Sequence, residues 1–286
     1  MSEHNVLRRV IEDRTGVVIE EDKGYLFDTR LADLMKQRGI ATFDELAKAF
    51  ESTGDPALLD EIVDRITTHE TRFFRDESIF DAFAMQMIPE WFEKRGITPL
   101  QASQARFDVW SSACSSGQEA YSLAIMVAEK WPALMNSLSI TATDISGPTV
   151  EKAKLGIFTN FEMDRGMPAH LKERYFEKHG DAWKVKPQIR DRVKFSRHNL
   201  ISDPYPGPFD IIFCRNVLIY FSEDQKRKVV SGLVQSLKQD GILVLGSAES
   251  ITGMYTNYVL REFGLARYYE MNDSHVTIFK PPGGKT

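Results

Sequence analysis

Residues 107–131 read FDVWSSACSSGQEAYSLAIMVAEKW. An apolar run of strand length, FDVWSSA, passes through small residues, SSACSSG, into a segment whose apolar positions recur at helical spacing from Gln118 onward. The alternation continues downstream. LSITATD (138–144), FDIIFC (209–214) and GILVLG (241–246) are further short apolar runs, with helix-like PTVEKAKLG (148–156) and EDQKRKVVSGLVQSLK (223–238) between them. Strands alternating with helices predict an α/β domain built on a mostly parallel sheet covered on both faces. The ending LARYYEMNDSHVTIFK (265–280) reads as two strands joined at Asn272-Asp273, an antiparallel pair closing the sheet edge. Between Phe161 and Phe195 the alternation is interrupted by RGMPAHLKERYF and GDAWKVKPQIRDRVKF, which suit a helix and a small hairpin inserted into the larger domain.

Upstream the character is different. LFDTRLADLMKQRGI (26–40) has apolar residues three or four apart, Thr42 can cap FDELAKAF (43–50), and LLDEIVDRITTHE (58–70) continues the pattern. No strand alternation interrupts it. After the helical SIFDAFAMQMIPEWFEKRG (78–96) comes the polar TPLQASQA (98–105). The predicted organisation is an all-helical domain over 1–85, a linker over 86–105 and the sheet domain over 106–286, with the insert at about 161–195.

Composition narrows the function. With 286 residues and 42% hydrophobic content, a sizeable core can form. A net charge of -5 does not suit a phosphate-backbone binder, so nucleic acid is not the expected partner. No apolar run is long enough to span a bilayer, and MSEHNVLRRVIEDRTG lacks the apolar centre of a signal peptide, so a cytoplasmic address is expected. Cys114 and Cys214 are too few for a disulfide framework or a structural metal site, and both read as small buried hydrophobes.

In an open parallel sheet the ligand crevice lies beyond the carboxyl ends of the strands, where strand order reverses. The chemistry-bearing residues of this chain obey that rule: SSACSSGQE comes after one strand, Asp144 ends another, Asn199-Leu200 come after the insert, and Arg215-Asn216 come after FDIIFC. The small residues of SSACSSG allow close approach to the backbone, and the helix from Gln118 offers its amino-terminal dipole. GxGxxG is absent, which disfavours NAD. A carboxylate at the position of Asp144 can accept both ribose hydroxyls of a nucleoside; capping of the next helix through SGPTVEK is an equally good reading. Glu119 stands in a first helical turn, where favouring the dipole is the ordinary role.

Four ordered segments resemble the CheR chemotaxis receptor methyltransferases. TTHETRFFRD (67–76) resembles that family's linker, WSSACSSGQEAYSLAI (110–125) its cofactor loop, TATDIS (141–146) its ribose-binding strand end, and FDIIFCRNVLIYF (209–221) its most distinctive strand and turn. The similarity extends over nearly the whole chain, including GILVLGSAES (241–250). It implies a Rossmann-like class I methyltransferase domain with a small β-subdomain, preceded by an all-helical domain that helps close the site. S-adenosylmethionine would be the cofactor, lined by His69, Thr71, Arg75, Glu119, Asp144, Asn199, Leu200, Arg215 and Asn216, with Tyr220 near the transferred methyl and Arg75 and Tyr220 as catalytic residues. Phe73 and Phe74 read as packing residues. The chain departs from the family pattern at His69, Gln118 and Ala120, where Asn, Glu and Pro are common.

The resemblance also implies the acceptor, a glutamate on the cytoplasmic coiled coil of methyl-accepting chemotaxis receptors, served by a monomeric enzyme. Arg30, Lys36 and Arg38 could form a basic stripe facing acidic receptor helices, or a solvated helix face. The short hairpin turn in EKHGDAWKV (177–185) favours a form that needs no receptor tether. Two rival readings are a methyltransferase for nucleic-acid bases or small molecules and a non-catalytic cofactor-binding signalling module. CRNVLIY stands where base amino methylation would call for an Asn/Asp-Pro-Pro-Tyr turn, which argues against the first.

Overall fold

The computed structural model describes residues 5–53, 55–67, 70–254 and 258–271. Helices α1 (Asn5–Thr15), α2 (Tyr25–Arg38), α3 (Phe43–Thr53) and α4 (Pro56–Ile66) come first. Local chemistry sets their ends. Thr42 Oγ1 accepts the Glu45 N–H at 3.2 Å while Glu45 accepts from the Ala41 N–H at 2.9 Å. Gly39 closes α2 in the left-handed region, with its N–H on the Lys36 and Met35 carbonyls. The apolar faces of these helices meet in a core of their own, where Leu7, Phe27, Leu31, Leu34, Leu46 and Ile62 are buried. Each such side chain contributes about 1.5–3 kcal/mol.

A second helical stretch, α5 (Glu77–Ala82), a π-helical segment Phe83–Met87 and α6 (Ile88–Arg95), runs without a break. Pro89 explains the wide turn, because its ring cannot sit against the carbonyl four residues back in a regular α-helix. Periodicity alone places the helical domain's end near 85, yet Ile79, Phe80, Phe83 and Met87 lie in the core of the sheet domain. Helical spacing identifies a buried face without saying which core buries it.

The strands are β1 (Phe107–Ser112), β2 (Leu138–Asp144), β3 (Ile157–Thr159), β4 (Phe176–His179), β5 (Ala182–Val185), β6 (Val193–Arg197), β7 (Phe209–Cys214), β8 (Leu237–Leu245), β9 (Tyr258–Phe263) and β10 (Ala266–Met271). The large sheet has the order β6-β2-β1-β7-β8-β10-β9. β6, β2, β1, β7 and β8 are parallel; β10 runs antiparallel to β8, and β9 antiparallel to β10. Helices α7 (Gln118–Lys130), α8 (Gly147–Leu155), α9 (Asn160–Asp164), α10 (Ala169–Tyr175), α11 (Pro187–Arg190) and α12 (Glu223–Gln235) fill the connections. β1 and β7 are buried along their full length. Alternate residues divide between two cores: Phe107, Val109, Ile211 and Phe213 share one with α5, α6 and α7, whereas Trp110, Ile212 and Cys214 share the other with α12. The expected Rossmann-like sheet is therefore present, and no helix among the described residues is long and apolar enough to cross a membrane.

Two details differ from the sequence expectation. The antiparallel edge pair is β9 with β10, joined at Gly264-Leu265 with Gly264 at φ 59°; Asn272-Asp273 and the residues after them lie outside the described residues. Ala-Arg-Tyr-Tyr is the second strand of the pair rather than the first. The small antiparallel sheet, β3-β5-β4, begins at Ile157 rather than near 161, and Phe195 lies in β6 at the edge of the large sheet. A short strand such as VKFSR, largely exposed at an edge, carries no continuous apolar run to mark it.

Candidate active site

Strand order reverses between β1 and β7, so their carboxyl ends open a crevice on the side of the first helical core. A cavity of about 380 Å³ occupies it. Thr71, Arg75, Glu119, Asp144, Asn199, Leu200, Arg215, Asn216 and Tyr220 all line this cavity. His69 lies outside the described residues. The opposite wall is the helical domain, through Val17, Val18, Tyr25 and Arg30.

The loop after β1 is bent for this purpose. Ala113 and Ser115 adopt φ of 55° and 51°, a region costly for side-chain-bearing residues, and Gly117 at φ 92° opens α7. A Cβ on Gly117 would lie 3.0 Å from Ala153 and Phe195, so glycine there lets α7 approach α8 and β6. Glu119, in the first turn of α7, accepts from Ser111 Oγ at 2.7 Å and from Arg215 Nη1 at 3.0 Å. It is part of a charge network rather than a simple partner of the helix dipole.

Arg215 is the centre of that network. Its side chain is 3% exposed, and Nη2 reaches both Asp76 Oδ2 at 2.5 Å and the Arg75 carbonyl at 2.9 Å. The arginine thus ties the linker segment to the ends of β1 and β7. Asp76 and Phe74 in that linker also have positive φ, 61° and 50°. Arg75 donates to the Glu70 carbonyl at 3.1 Å. Phe73 and Phe74 are buried packing residues, and Phe73 meets Phe158 and Phe176 edge-on, which ties the linker to the insert.

Asp144 Oδ2 accepts the Ser115 N–H at 2.8 Å and Oδ1 the Ser146 N–H at 3.0 Å. The cap of α8 is Ser146, whose hydroxyl accepts from the Thr149 N–H. The capping alternative for Asp144 is removed by this, and its carboxylate is held at the cavity wall between two strand-end loops. The helical domain reaches the same loop: Ser146 Oγ donates to Asp64 at 2.5 Å, and Arg197 Nη1 donates to Asp60 at 2.8 Å. Burial raises the Asp60 carboxyl above its usual range, against the pull of Arg197.

On the far side Asn199 is fixed on all sides. Its N–H donates to Asp203, its Oδ1 accepts from Ile201 N–H, and its Nδ2 donates to the Arg14 carbonyl at 2.7 Å. Beside it His198 is buried edge-on to Trp110 and Tyr205, and burial lowers its pKa although the ring meets the Pro204 carbonyl. Burial also pushes the Cys114 and Cys214 thiols well above their ordinary pKa, in keeping with buried hydrophobes. Of the expected basic stripe, Arg30 turns inward to the Ile66 carbonyl at 2.6 Å and Arg38 pairs with Glu61 at 2.7 Å, leaving Lys36 exposed.

Two contributors escape the sequence reading. Asp64 sits on a helix with ordinary charged-face spacing and carries no motif. Glu249 lies in GSAES and accepts backbone N–H groups from the loop after β7. Its signal is faint, an acid placed just past a strand-ending glycine.

The donor set suits a nucleoside with a charged amino-acid tail. Acceptors stand at Asp144 and Glu119, a cation at Arg75, apolar surface at Leu200 and Ile145, and bare backbone at Ala113–Ser115, in a space of the usual size for a cofactor. The comparisons with known proteins agree. The CheR methyltransferase SAM-binding domain matches residues 69–263 and the CheR methyltransferase all-alpha domain matches residues 2–67. The chemotaxis protein methyltransferase Cher2 of Pseudomonas putida is 38% identical over 258 residues, covering 88% of this chain and 91% of that protein. Chemotaxis protein methyltransferase 1 of Pseudomonas aeruginosa is 37% identical over 264 residues, covering 90% and 93%. The chain belongs to the CheR methyltransferase family, with an S-adenosylmethionine-binding sheet domain behind an all-helical one.

Proposed function

We propose that this chain is a protein-glutamate O-methyltransferase that esterifies glutamate side chains on the cytoplasmic coiled coil of methyl-accepting chemotaxis receptors, acting in the cytoplasm as a monomer. The observation that carries the reading is the gathering of linker, strand-end loops and helical domain around one cavity, with Arg75 and Tyr220 both on its wall. Relatives of closely similar length are named for chemotaxis, which favours a receptor acceptor over a small molecule.

Bound S-adenosylmethionine supplies an electrophilic methyl group on a positively charged sulfur. The protein's share of the work is positional. The acceptor glutamate is ionised at neutral pH, its ordinary pKa being about 4.3, so no general base is required. Asp144 is placed to accept the ribose hydroxyls and Glu119 to face the cationic end of the cofactor. Leu200, 7% exposed, offers an apolar surface to the base. Arg75 can fork onto a carboxylate and remain charged when partly buried. Too firm a hold on the acceptor would stabilise it more than a transition state in which its charge is fading, so orientation and loss of water carry most of the gain, up to about 7–11 kcal/mol for ideal alignment. The Tyr220 hydroxyl can meet the reacting atoms without adding charge.

The test is transfer of a radiolabelled methyl from S-adenosylmethionine to chemoreceptor-rich membranes. Label released as methanol by mild alkali is the expected result. Cofactor binding with no such label would refute it in favour of a signalling module that senses the cofactor.

A further inference from the structure

The turn that carries Arg215, Asn216 and Tyr220 presents consecutive backbone N–H groups to a single carboxylate. Glu249 Oε2 accepts from Asn216 at 2.9 Å and Gly246 at 2.7 Å, and Oε1 accepts from Val217 at 2.9 Å, Leu218 at 2.7 Å and Ile219 at 3.3 Å. Successive N–H groups converging in this way form a concave anion site. Here the chain fills the site itself, with a side chain from the loop after the neighbouring strand, since β7 and β8 are paired up to Cys214 and Leu245. Asn216, at φ 58°, starts the turn. The approach is close enough to exclude a side chain at residue 246: a Cβ on Gly246 would stand 2.6 Å from Glu249 Oε2 and 2.9 Å from the Asn216 nitrogen.

We infer that Glu249 is a positioning residue for methyl transfer. Resting on the methyltransferase reading above, the inference is that its carboxylate acts as a built-in anion that fixes the 216–219 turn and so sets where Asn216 and Tyr220 stand relative to the cofactor cavity. Glu249 does not line that cavity; it lines a second, larger cavity of about 990 Å³ on the other side of Arg215, together with Gly246, Asp76 and Leu265. The second cavity opens a route by which a small anion from solvent can reach the vacated N–H groups. The wall between the two cavities is thus held from behind.

The experiment uses the full chain with S-adenosylmethionine, receptor membranes and sodium formate as the probe. E249A should lose about 100-fold in kcat at saturating cofactor, the scale expected for misplacement of about 1 Å at a reacting centre. Formate should restore activity saturably, and sodium chloride at equal ionic strength should not. Loss of activity with no formate effect, or a folded E249A within twofold of the parent, overturns the inference. E249Q, which keeps one acceptor oxygen and nearly the same shape, should fall between the two and carries the test if E249A does not fold; a folded E249Q with the parent's kcat overturns it. G246A leaves Glu249 in place and crowds its carboxylate, so it should also lose activity without responding to formate; full activity in G246A counts against the inference. S-adenosylhomocysteine affinity, measured on the same variants by calorimetry, separates this inference from the function it rests on. If the parent binds the product yet makes no base-labile ester, the function fails, while a formate-reversible loss of affinity in E249A still sustains the positioning role.

Discussion

Replacing Arg215 by Met should expose how much of the site is an electrostatic construction. The guanidinium is 3% exposed and is shared between Glu119, 13% exposed, and Asp76, 38% exposed. Methionine fills much of the volume and removes the charge. Asp76 can turn to water, so the cost falls mainly on Glu119, left in the wall with Ser111 as its donor. Breaking a buried pair by removing one partner costs about 3–5 kcal/mol. A chain of this length has an unfolding entropy of about 0.6 kcal/mol/K, which turns that cost into a drop of about 5–8 °C in Tm. Differential scanning calorimetry without cofactor reads it directly. The double variant Arg215→Met with Glu119→Gln should recover at least about half of the loss, because a neutral amide keeps the Ser111 contact and carries no charge to be stranded. A loss below about 1 kcal/mol, or no recovery in the double variant, would refute the assignment of the cost to an unpaired carboxylate.

Other substitutions separate binding from chemistry. Arg75→Ala should abolish methyl transfer with Tm changed by less than about 2 °C, since its hydrogen bond to the Glu70 carbonyl is an exposed one; near-parental activity in the folded variant would contradict its role. Asp144→Ala should weaken S-adenosylmethionine binding by at least about 100-fold, the lower end for two hydrogen bonds to a charged group, read by calorimetry. Asp64→Ala, in the helical domain, should weaken the same binding by about tenfold through the Ser146 hydroxyl. The buried imidazole of His198 has a lowered pKa, so below about pH 6.5 the unfolded chain binds more protons than the folded one and stability falls as pH falls, by at most about 1.4 kcal/mol per pH unit. His198→Gln should flatten that slope in denaturant titrations run from pH 7 to pH 5.

The central strands are legible because both faces of β1 and β7 are buried, which leaves consecutive apolar residues, Val109-Trp110 in β1 and Ile211-Ile212-Phe213 in β7. Edge elements are not. VKFSR in β6 shows most of its residues to solvent, and the 264–265 turn lacks the Asn-Gly or Asp-Gly pattern that the residues at 272–273 approach more nearly. Asp144 and Asn216 can be located because they lie at or just past the carboxyl ends of parallel strands beside the reversal of strand order, the side on which the crevice opens. Asp64 and Glu249 cannot, because each acts through residues distant in the chain, Ser146 and the 216–219 turn, and nothing in local spacing records such a partner. Arg30 shows the opposite error: a cation on an exposed-looking helix position turns inward to cap the carbonyl end of α4.

The cavity has apolar walls from the core of the first helices, through Ile19 and Ile66, and from the sheet core shared with α12, through Leu200 and Phe221. A ligand bridging both is a thermodynamic link between them. Without it, polar contacts such as Asp64 with Ser146 and Asp60 with Arg197, together with the Val18–Tyr220 backbone bond, join the helical domain to the sheet domain. Occupancy adds RT ln(1 + [L]/Kd) to any opening that separates the walls, about 2.7 kcal/mol at a hundredfold excess over Kd. The consequence is a change in cooperativity: amide hydrogen exchange in α2 and α4 should slow with cofactor concentration in step with the sheet domain, so that two units joined only by their direct contacts when empty are coupled more tightly when filled.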